Sequence, residues 1–142
     1  MPRRRSNREP DTAEAAARAD HARRSRDIEI AFLEALRVRL PGHAAVVESL
    51  GALYTEAGRH ADGLEADRTL VGLEPHSALA WYNLACSLSL TGQPDQAFDA
   101  LEKAAALGYA DAEWMQSDED LAPIRQDPRF ARLLARLDTE TG

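Results

Sequence analysis

The residue types that most often carry out chemistry are few in this chain, and they form no recognisable catalytic pattern. Cys86 is the single cysteine, and no base stands at a spacing that would activate its thiol. The sequence contains no phosphate-binding loop, no Gly-x-Ser-x-Gly and no zinc motif. No two of the four histidines have metal-ligand spacing, and all four fall in predicted loops or the N-terminal tail: His21, His43, His60 and His76. We therefore predict a non-catalytic protein without a cofactor or a metal.

One acidic triplet could bind a cation. Asp118, Glu119 and Asp120 are consecutive, and carboxylate oxygens are ligands for hard cations. The same residues also suit the start of a helical turn, where negative side chains interact favourably with the helix dipole. We adopt the second interpretation.

The charge is divided unevenly along the 142 residues, whose formal net charge is −7. Residues 1–27 contain eight Arg and five acidic residues, a net charge of +3, so the remainder carries −10. This acidic remainder disfavours nucleic acid as its partner. Residues 1–26 are predicted to be a disordered or frayed Arg-rich arm, which serves either as a solubilising tail or as a contact to phosphates or an acidic surface.

Compartment is suggested by three features of the sequence. A lone cysteine can form no disulfide within the chain, which suits a reducing compartment. No apolar run approaches 18 residues, so no membrane span is expected. The Arg-rich start is not followed by the apolar region of a secretory signal. These features predict a cytoplasmic protein without membrane contact.

The elements that position the remaining residues repeat with a period of 34 residues. Five pairs of similar residues lie 34 positions apart. The pairs are Leu50 and Leu84, Gly51 and Ala85, Tyr54 and Leu88, Gly58 and Gly92, and Gly63 and Ala97. A fixed period of this length in a helical sequence is typical of a solenoid.

Local chemistry explains the repeated positions. Leu50, Gly51 and Tyr54 lie three and four residues apart, on one face of a helix. Gly58 stands where that helix should end, because a C-terminal cap favours a left-handed backbone conformation. Ser77 is placed to cap the following helix. Each unit is thus predicted to be two antiparallel helices joined by a tight turn, and such pairs must stack to bury their apolar faces.

This pattern resembles the tetratricopeptide repeat family, whose 34-residue unit has a Trp-x2-Leu-Gly-x2-Tyr run followed by Gly, Ala and Phe positions and a late Pro. The unit 44–77 matches at Leu50, Gly51, Tyr54, Gly58 and Pro75, but has Val47 in place of Trp. The later unit, 78–111, matches at Trp81, Leu84, Gly92, Ala97 and Phe98, but has Tyr109 in place of Pro. The resemblance implies an all-α, right-handed superhelix of antiparallel helix pairs.

The predicted repeat domain covers residues 27–138. It comprises an N-terminal half repeat at 28–41, the two full units at 44–77 and 78–111, and a C-terminal cap at 112–138. In the cap, the Leu-Gly core of a third unit is lost, and Pro123 interrupts the helical pattern. We therefore predict a short helix, a bend and a final helix that starts at Asp127-Pro128. This ending resembles the tail of some bacterial proteins of the family.

Function in this family usually lies on the concave surface formed by the first helix of each unit. The residues left after the packing positions are subtracted are the predicted groove: Glu48, Ala52, Thr55, Glu56, Tyr82, Asn83, Cys86 and Ser89. No Lys or Arg occupies these positions, so the grip on a C-terminal carboxylate that some members use is not expected here. The resemblance implies a protein-interaction module, an adaptor or scaffold, and the acidic groove suggests a neutral or basic peptide.

The sequence is compatible with two other possibilities. Two units could be too few for a real groove, and the half repeat at 28–40 is a weak cap, so the chain could instead be a structural repeat protein that assembles with copies of itself.

The 34-residue repeat also makes two predictions about single residues. Trp81 should be deeply buried, so that Trp81→Ala costs about 3–5 kcal/mol, and Asp67 should lie near the surface.

Overall fold

A computed structural model describes residues 11–140 of the chain. Within this part, seven α-helices and one 3₁₀ helix occur and no β-strand is present, which confirms the all-α prediction. The α-helices are α1 (Thr12–Arg39), α2 (Ala44–Glu56), α3 (His60–Leu73), α4 (Ala78–Leu90), α5 (Pro94–Ala106), α6 (Ala112–Ser117) and α7 (Pro128–Glu140), and the 3₁₀ helix is Glu119–Ile124. The predicted disorder of residues 1–10 lies outside the described residues.

Helices α2 with α3 and α4 with α5 form the two antiparallel pairs that the 34-residue period predicts. The turns within the pairs contain Gly58 and Gly92, whose φ angles are +74° and +73°. Both are in the left-handed region that favours glycine. Between the pairs, the Ser77 side chain accepts a hydrogen bond from the Ala80 amide at 3.1 Å and so caps α4.

The core consists of two adjoining apolar clusters. The first lies between α1, α2 and α3 and is centred on Val47, Leu50 and Leu70. The second fills the space between α4, α5 and the C-terminal helices, where Leu101 and Leu121 are completely or almost completely buried. Consecutive helices from α1 to α5 pack on one another, α4 also packs on the 3₁₀ helix, and α7 packs on α5 and α6. The second cluster therefore attaches the C-terminal segment firmly to α4, the helix that carries half of the predicted groove.

The prediction that Asp67 lies near the surface is wrong. Its side chain is 5% exposed, and it accepts a hydrogen bond of 2.5 Å from the Ser87 hydroxyl. A methyl group on Gly51 would lie 2.7 Å from an Asp67 carboxylate oxygen, closer than packing allows. The small residue in α2 thus makes room for a polar contact that joins α3 to α4, because the buried Ser87 hydroxyl needs an acceptor at this position.

Trp81 is only partly buried, which also contradicts the prediction. Its indole Nε1 donates a hydrogen bond of 2.9 Å to the Pro75 carbonyl oxygen, so the ring lies across the turn between the two pairs. The neighbouring Tyr82 is 3% exposed and takes the interior place. A side chain that keeps part of its surface in water gains less from burial, so Trp81→Ala should cost less than the 3–5 kcal/mol of a buried Trp.

Helix α1 is far longer than the predicted half repeat. It runs without a break from Thr12 to Arg39, and its residues before Arg26 are all exposed. The second half packs through Ile30, and Arg37 makes two hydrogen bonds with the Glu65 carboxylate, at 2.8 and 2.9 Å. Helix geometry therefore marks no boundary between residues 26 and 27, and the division into an arm and a repeat domain stays a prediction.

The C-terminal segment follows the predicted order of a short helix, a bend and a final helix. Asp111, Asp118 and Asp127 each accept a hydrogen bond from a backbone amide at the start of α6, the 3₁₀ helix and α7. Asp118 is therefore part of a helix start, as the sequence indicates. Within the described residues, no helix has both the length and the apolar character needed to cross a membrane.

Candidate peptide-binding groove

A groove of about 510 Å³ opens between α2, α4 and the C-terminal segment. Its position follows from the fold, since α3 packs on both α2 and α4, and the 3₁₀ helix of the C-terminal segment packs on α4. Helix α2 contributes Glu48, Gly51, Ala52, Thr55 and Glu56; α3 and α4 contribute Asp67, Leu79, Tyr82, Asn83, Cys86 and Ser87; and the C-terminal segment contributes Tyr109, Trp114, Asp118 and Asp120.

The floor of the groove is a rigid polar cluster around Tyr82. The Tyr82 hydroxyl donates a hydrogen bond of 2.6 Å to Asp118, and its ring stacks on Tyr109 with a centroid distance of 4.4 Å and an angle of 6° between the planes. Cys86 lies beside them and is 7% exposed, with its sulfur 3.8 Å from the same Asp118 oxygen. These contacts tie α4 to the C-terminal segment and fix the shape of the groove.

The rim offers both apolar and polar groups to solvent. Leu79 and Trp114 are 52% and 57% exposed, which is high for large apolar side chains. Glu48 and Glu56 on α2 are exposed, and Asn83 on α4 is partly exposed. An apolar surface beside carboxylates and a side-chain amide is suited to a peptide, whose backbone and side chains need both kinds of contact.

The structure brings seven of the eight predicted groove residues together along this one cavity. Ser89 is the exception, because its side chain is 2% exposed and lies away from the groove, within the packing around α4. Its hydroxyl has no hydrogen-bond partner among the described residues. Tyr82 and Cys86 line the groove as buried floor residues rather than as exposed contacts. The role of these residues in binding stays a prediction.

Carboxylates dominate the electrostatics of the groove. The described lining residues include five acidic side chains and neither Lys nor Arg. Burial raises the pKa of Asp67 to about 6, against the hydrogen bond from Ser87. Burial and the charge of Asp118 likewise raise the pKa of Asp120. The ionised forms of both groups lack a nearby cation among the lining residues, so a positively charged ligand would relieve repulsion that the free protein retains.

Burial also raises the pKa of the Cys86 thiol, and the charges of Asp118 and Asp120 act in the same direction. The thiol therefore stays protonated, which is the unreactive form of cysteine. Potential ligand atoms of these three residues lie within 4.8 Å of one another. Both carboxylate oxygens of Asp118 are already acceptors, from the Tyr82 hydroxyl and from the Asp120 amide.

Eight lining residues lie outside the groove that the sequence predicts, and four of them are in the C-terminal segment. Trp114 and Asp120 stand in a unit that departs from the repeat, which is why the sequence places them in the cap alone. The period itself contains a signal for one of them, because Ala52, Cys86 and Asp120 are spaced 34 residues apart. Asp120 thus takes the groove position of the incomplete third unit.

Comparison with known proteins agrees with this architecture. No family model matches the chain. The chain is similar to a chloroplastic protein of Arabidopsis thaliana, with 32% identity over 91 residues that span 62% of this chain and 27% of the relative. A solved structure, "MamA MSR-1 C2", from a protein that contains tetratricopeptide repeats, aligns with a TM-score of 0.64 and 18% identity, over 83% of this chain and 70% of that one. The chain therefore has the tetratricopeptide repeat fold.

Proposed function

We propose that the protein is a non-catalytic adaptor that binds an extended, neutral or basic peptide segment of another protein in the groove between α2, α4 and the C-terminal segment. One observation carries the proposal: the groove combines exposed apolar side chains with carboxylates and has no cationic lining residue among those described. An acidic segment would meet uncompensated repulsion there, whereas Lys or Arg side chains would find partners.

The geometry suggests separate tasks for the groove residues. Leu79 and Trp114 would cover apolar side chains of the peptide, which supplies most of the binding free energy. Glu48 and Glu56 would contact basic side chains from the exposed wall on α2. Asn83 can donate to and accept from a peptide backbone, which fixes the direction of the segment without selecting its sequence.

Fluorescence anisotropy with labelled peptides of equal length would test the proposal. We expect a peptide with alternating Lys and Leu to bind more tightly than one with Ser in place of Lys, and a peptide with Glu in place of Lys to bind weakest. Preference for the acidic peptide would contradict the proposal.

Variants connect the binding to this groove. Glu48→Gln with Glu56→Gln should weaken the basic peptide by about tenfold, the effect of losing about 1.4 kcal/mol in two exposed charge pairs. Glu74→Gln is a matched control, since this exposed residue lies outside the groove. Asn83→Ala is a better probe than Tyr82→Ala, because Tyr82 is buried and anchors Asp118. Equal effects of the groove and control variants on peptide affinity would exclude the groove as the peptide-binding site.

We extend the proposal to compartment and partners. The net charge of −10 beyond residue 27 disfavours nucleic acid on the repeat body. The lone cysteine suits the reducing cytoplasm, and bacterial origin is suggested by the C-terminal tail alone. Self-association is a second candidate function, favoured by the apolar side chains Ile28 and Phe32, which α1 exposes on the side away from the body.

A further inference from the structure

Helix α1 has an outer face that nothing in the described part of the chain covers. Its inner face packs on the body through Ile30, whereas Ile28, Phe32 and Val38 are 70%, 65% and 84% exposed. At about 100° per residue these side chains share one face with smaller and charged ones. We define the outer face by these exposed residues: Ala13, Ala17, Asp20, Arg24, Ile28, Phe32 and Val38.

The outer face is divided into two halves of opposite character. Its N-terminal half carries the small residues Ala13 and Ala17, four positions apart. Its C-terminal half carries the large residues Ile28 and Phe32, also four positions apart. When a second α1 is laid antiparallel along the first, the position numbers of facing residues have a constant sum. A sum of 45 places Ala17 opposite Ile28 and Ala13 opposite Phe32.

We propose that the outer face of α1 binds the outer face of α1 in a second copy of this chain, antiparallel and in this register. The inference rests on self-association as a candidate function, and it supplies the surface and the alignment. Small residues of each copy receive large residues of the other, as in other two-fold interfaces, where one patch is complementary to itself. Small residues also let the two helix backbones approach closely.

Charges agree with the same register. Asp20 of one copy faces position 25 of the second copy, which is next to Arg24 of that copy, on the same flank of the helix pair. The two-fold symmetry repeats this contact, so the dimer gains two ion pairs. In the single chain Asp20 pairs with Arg23 along its own helix, so its carboxylate would bind Arg24 of the second copy in addition to this arginine. The interface would thus have an apolar contact at each end and opposite charges at the centre.

A second copy also explains the length of α1. Residues 12–25 form a helix in which every side chain is exposed. Isolated helices of this length are marginal in water, and most helices in proteins are stabilised by packing of an apolar face. Residues 1–10 carry no large apolar side chain beyond the first methionine, so they do not offer an apolar cover. A pair of α1 helices gives both copies the missing packing.

Sedimentation equilibrium of the full chain over a range of concentrations tests the proposal. We expect a mass of twice 15.6 kDa for the wild type at micromolar concentration. Phe32→Asp should raise the dissociation constant by at least about tenfold, because an apolar contact is lost in both halves of the dimer. Val38→Asp is the matched control: it lies on the same face, but in this register it faces position 7, before α1 begins.

A charge exchange tests the register independently. Asp20→Arg should weaken the dimer, and Asp20→Arg with Arg24→Asp should restore it, while circular dichroism checks that the variants stay helical. A wild-type monomer at every concentration would overturn self-association itself. A dimer that resists Phe32→Asp would overturn the choice of surface, and equal weakening by Val38→Asp, or no rescue by the exchange, would overturn the register. Phe32 does not line the groove, so peptide binding by Phe32→Asp should equal that of the wild type.

Discussion

At the scale of single residues, Asp67 has an unusual environment. It is a buried carboxylate whose hydrogen-bond donor is Ser87, and its pKa is raised by burial and further by the charges of Asp120 and Glu48. A hydroxyl donor does not neutralise a charge as a cation does, so the ionised form of Asp67 is costly in the folded chain. The contact nevertheless links the two repeat units, since Asp67 lies on α3 and Ser87 on α4.

Replacement of Asp67 by Asn should therefore stabilise the protein at neutral pH. The pKa is about 6 in the folded chain and about 3.9 in an unfolded one, a difference worth on the order of 3 kcal/mol. Because the folded pKa is the higher one, folding favours the protonated acid. The contribution of Asp67 to stability is thus greatest below about pH 4 and is lost as the pH rises through about 6.

Urea unfolding of the two proteins at several pH values provides the measurement. Asp67→Asn should be the more stable protein at about pH 7, and its advantage should shrink toward zero below about pH 3, where Asp67 is largely protonated in both states. The comparison between variants cancels the titration of the other carboxylates. Lower stability of Asp67→Asn at neutral pH would show that the site requires the charge.

At the scale of helices, the sequence predicts the repeat helices well, but it predicts the start of α1 and the burial of individual residues poorly. Helices α2 and α3 lie within the predicted unit 44–77, and α4 and α5 lie within the predicted unit 78–111, because glycines, caps and apolar spacing act locally. The start of α1 cannot be placed from the sequence, since Ala-rich propensity favours a helix without an apolar pattern to fix its end. The environments of Asp67 and Trp81 differ from the predicted ones because repeat equivalence assigns a position within the unit, whereas burial also depends on the facing helix.

The N-terminal half of α1 should have a much lower local stability than α4. The amides of residues 15–25 lie in a helix without tertiary cover, whereas those of α4 lie next to both core clusters. Local opening needs little free energy where few apolar contacts are broken. In hydrogen exchange at a concentration low enough to keep the chain monomeric, we expect residues 15–25 to exchange orders of magnitude faster than α4. Equal protection in both regions would mean that residues 15–25 have a stabilising contact besides the second copy.

At the scale of the whole molecule, the positive N-terminal part and the acidic body separate two modes of association. The outer face of α1 associates through apolar contacts and paired charges, so added salt should change its affinity little. The groove offers carboxylates without cations among its described lining residues, so its affinity for basic peptides should depend strongly on ionic strength. A change in salt concentration should thus distinguish the two modes of association in the same chain.

The salt dependence of peptide binding gives this separation a quantitative form. The Debye length falls from about 10 Å at 0.1 M salt to about 3 Å at 1 M. Over this range we expect the affinity of a Lys-containing peptide to fall by about tenfold, while that of the Ser-containing peptide changes by less than about twofold, because Leu79 and Trp114 contact apolar groups only. Anisotropy titrations at both salt concentrations measure the two values. An equal loss for both peptides would show that the carboxylates of the groove do not select the ligand, and that binding rests on the apolar rim alone.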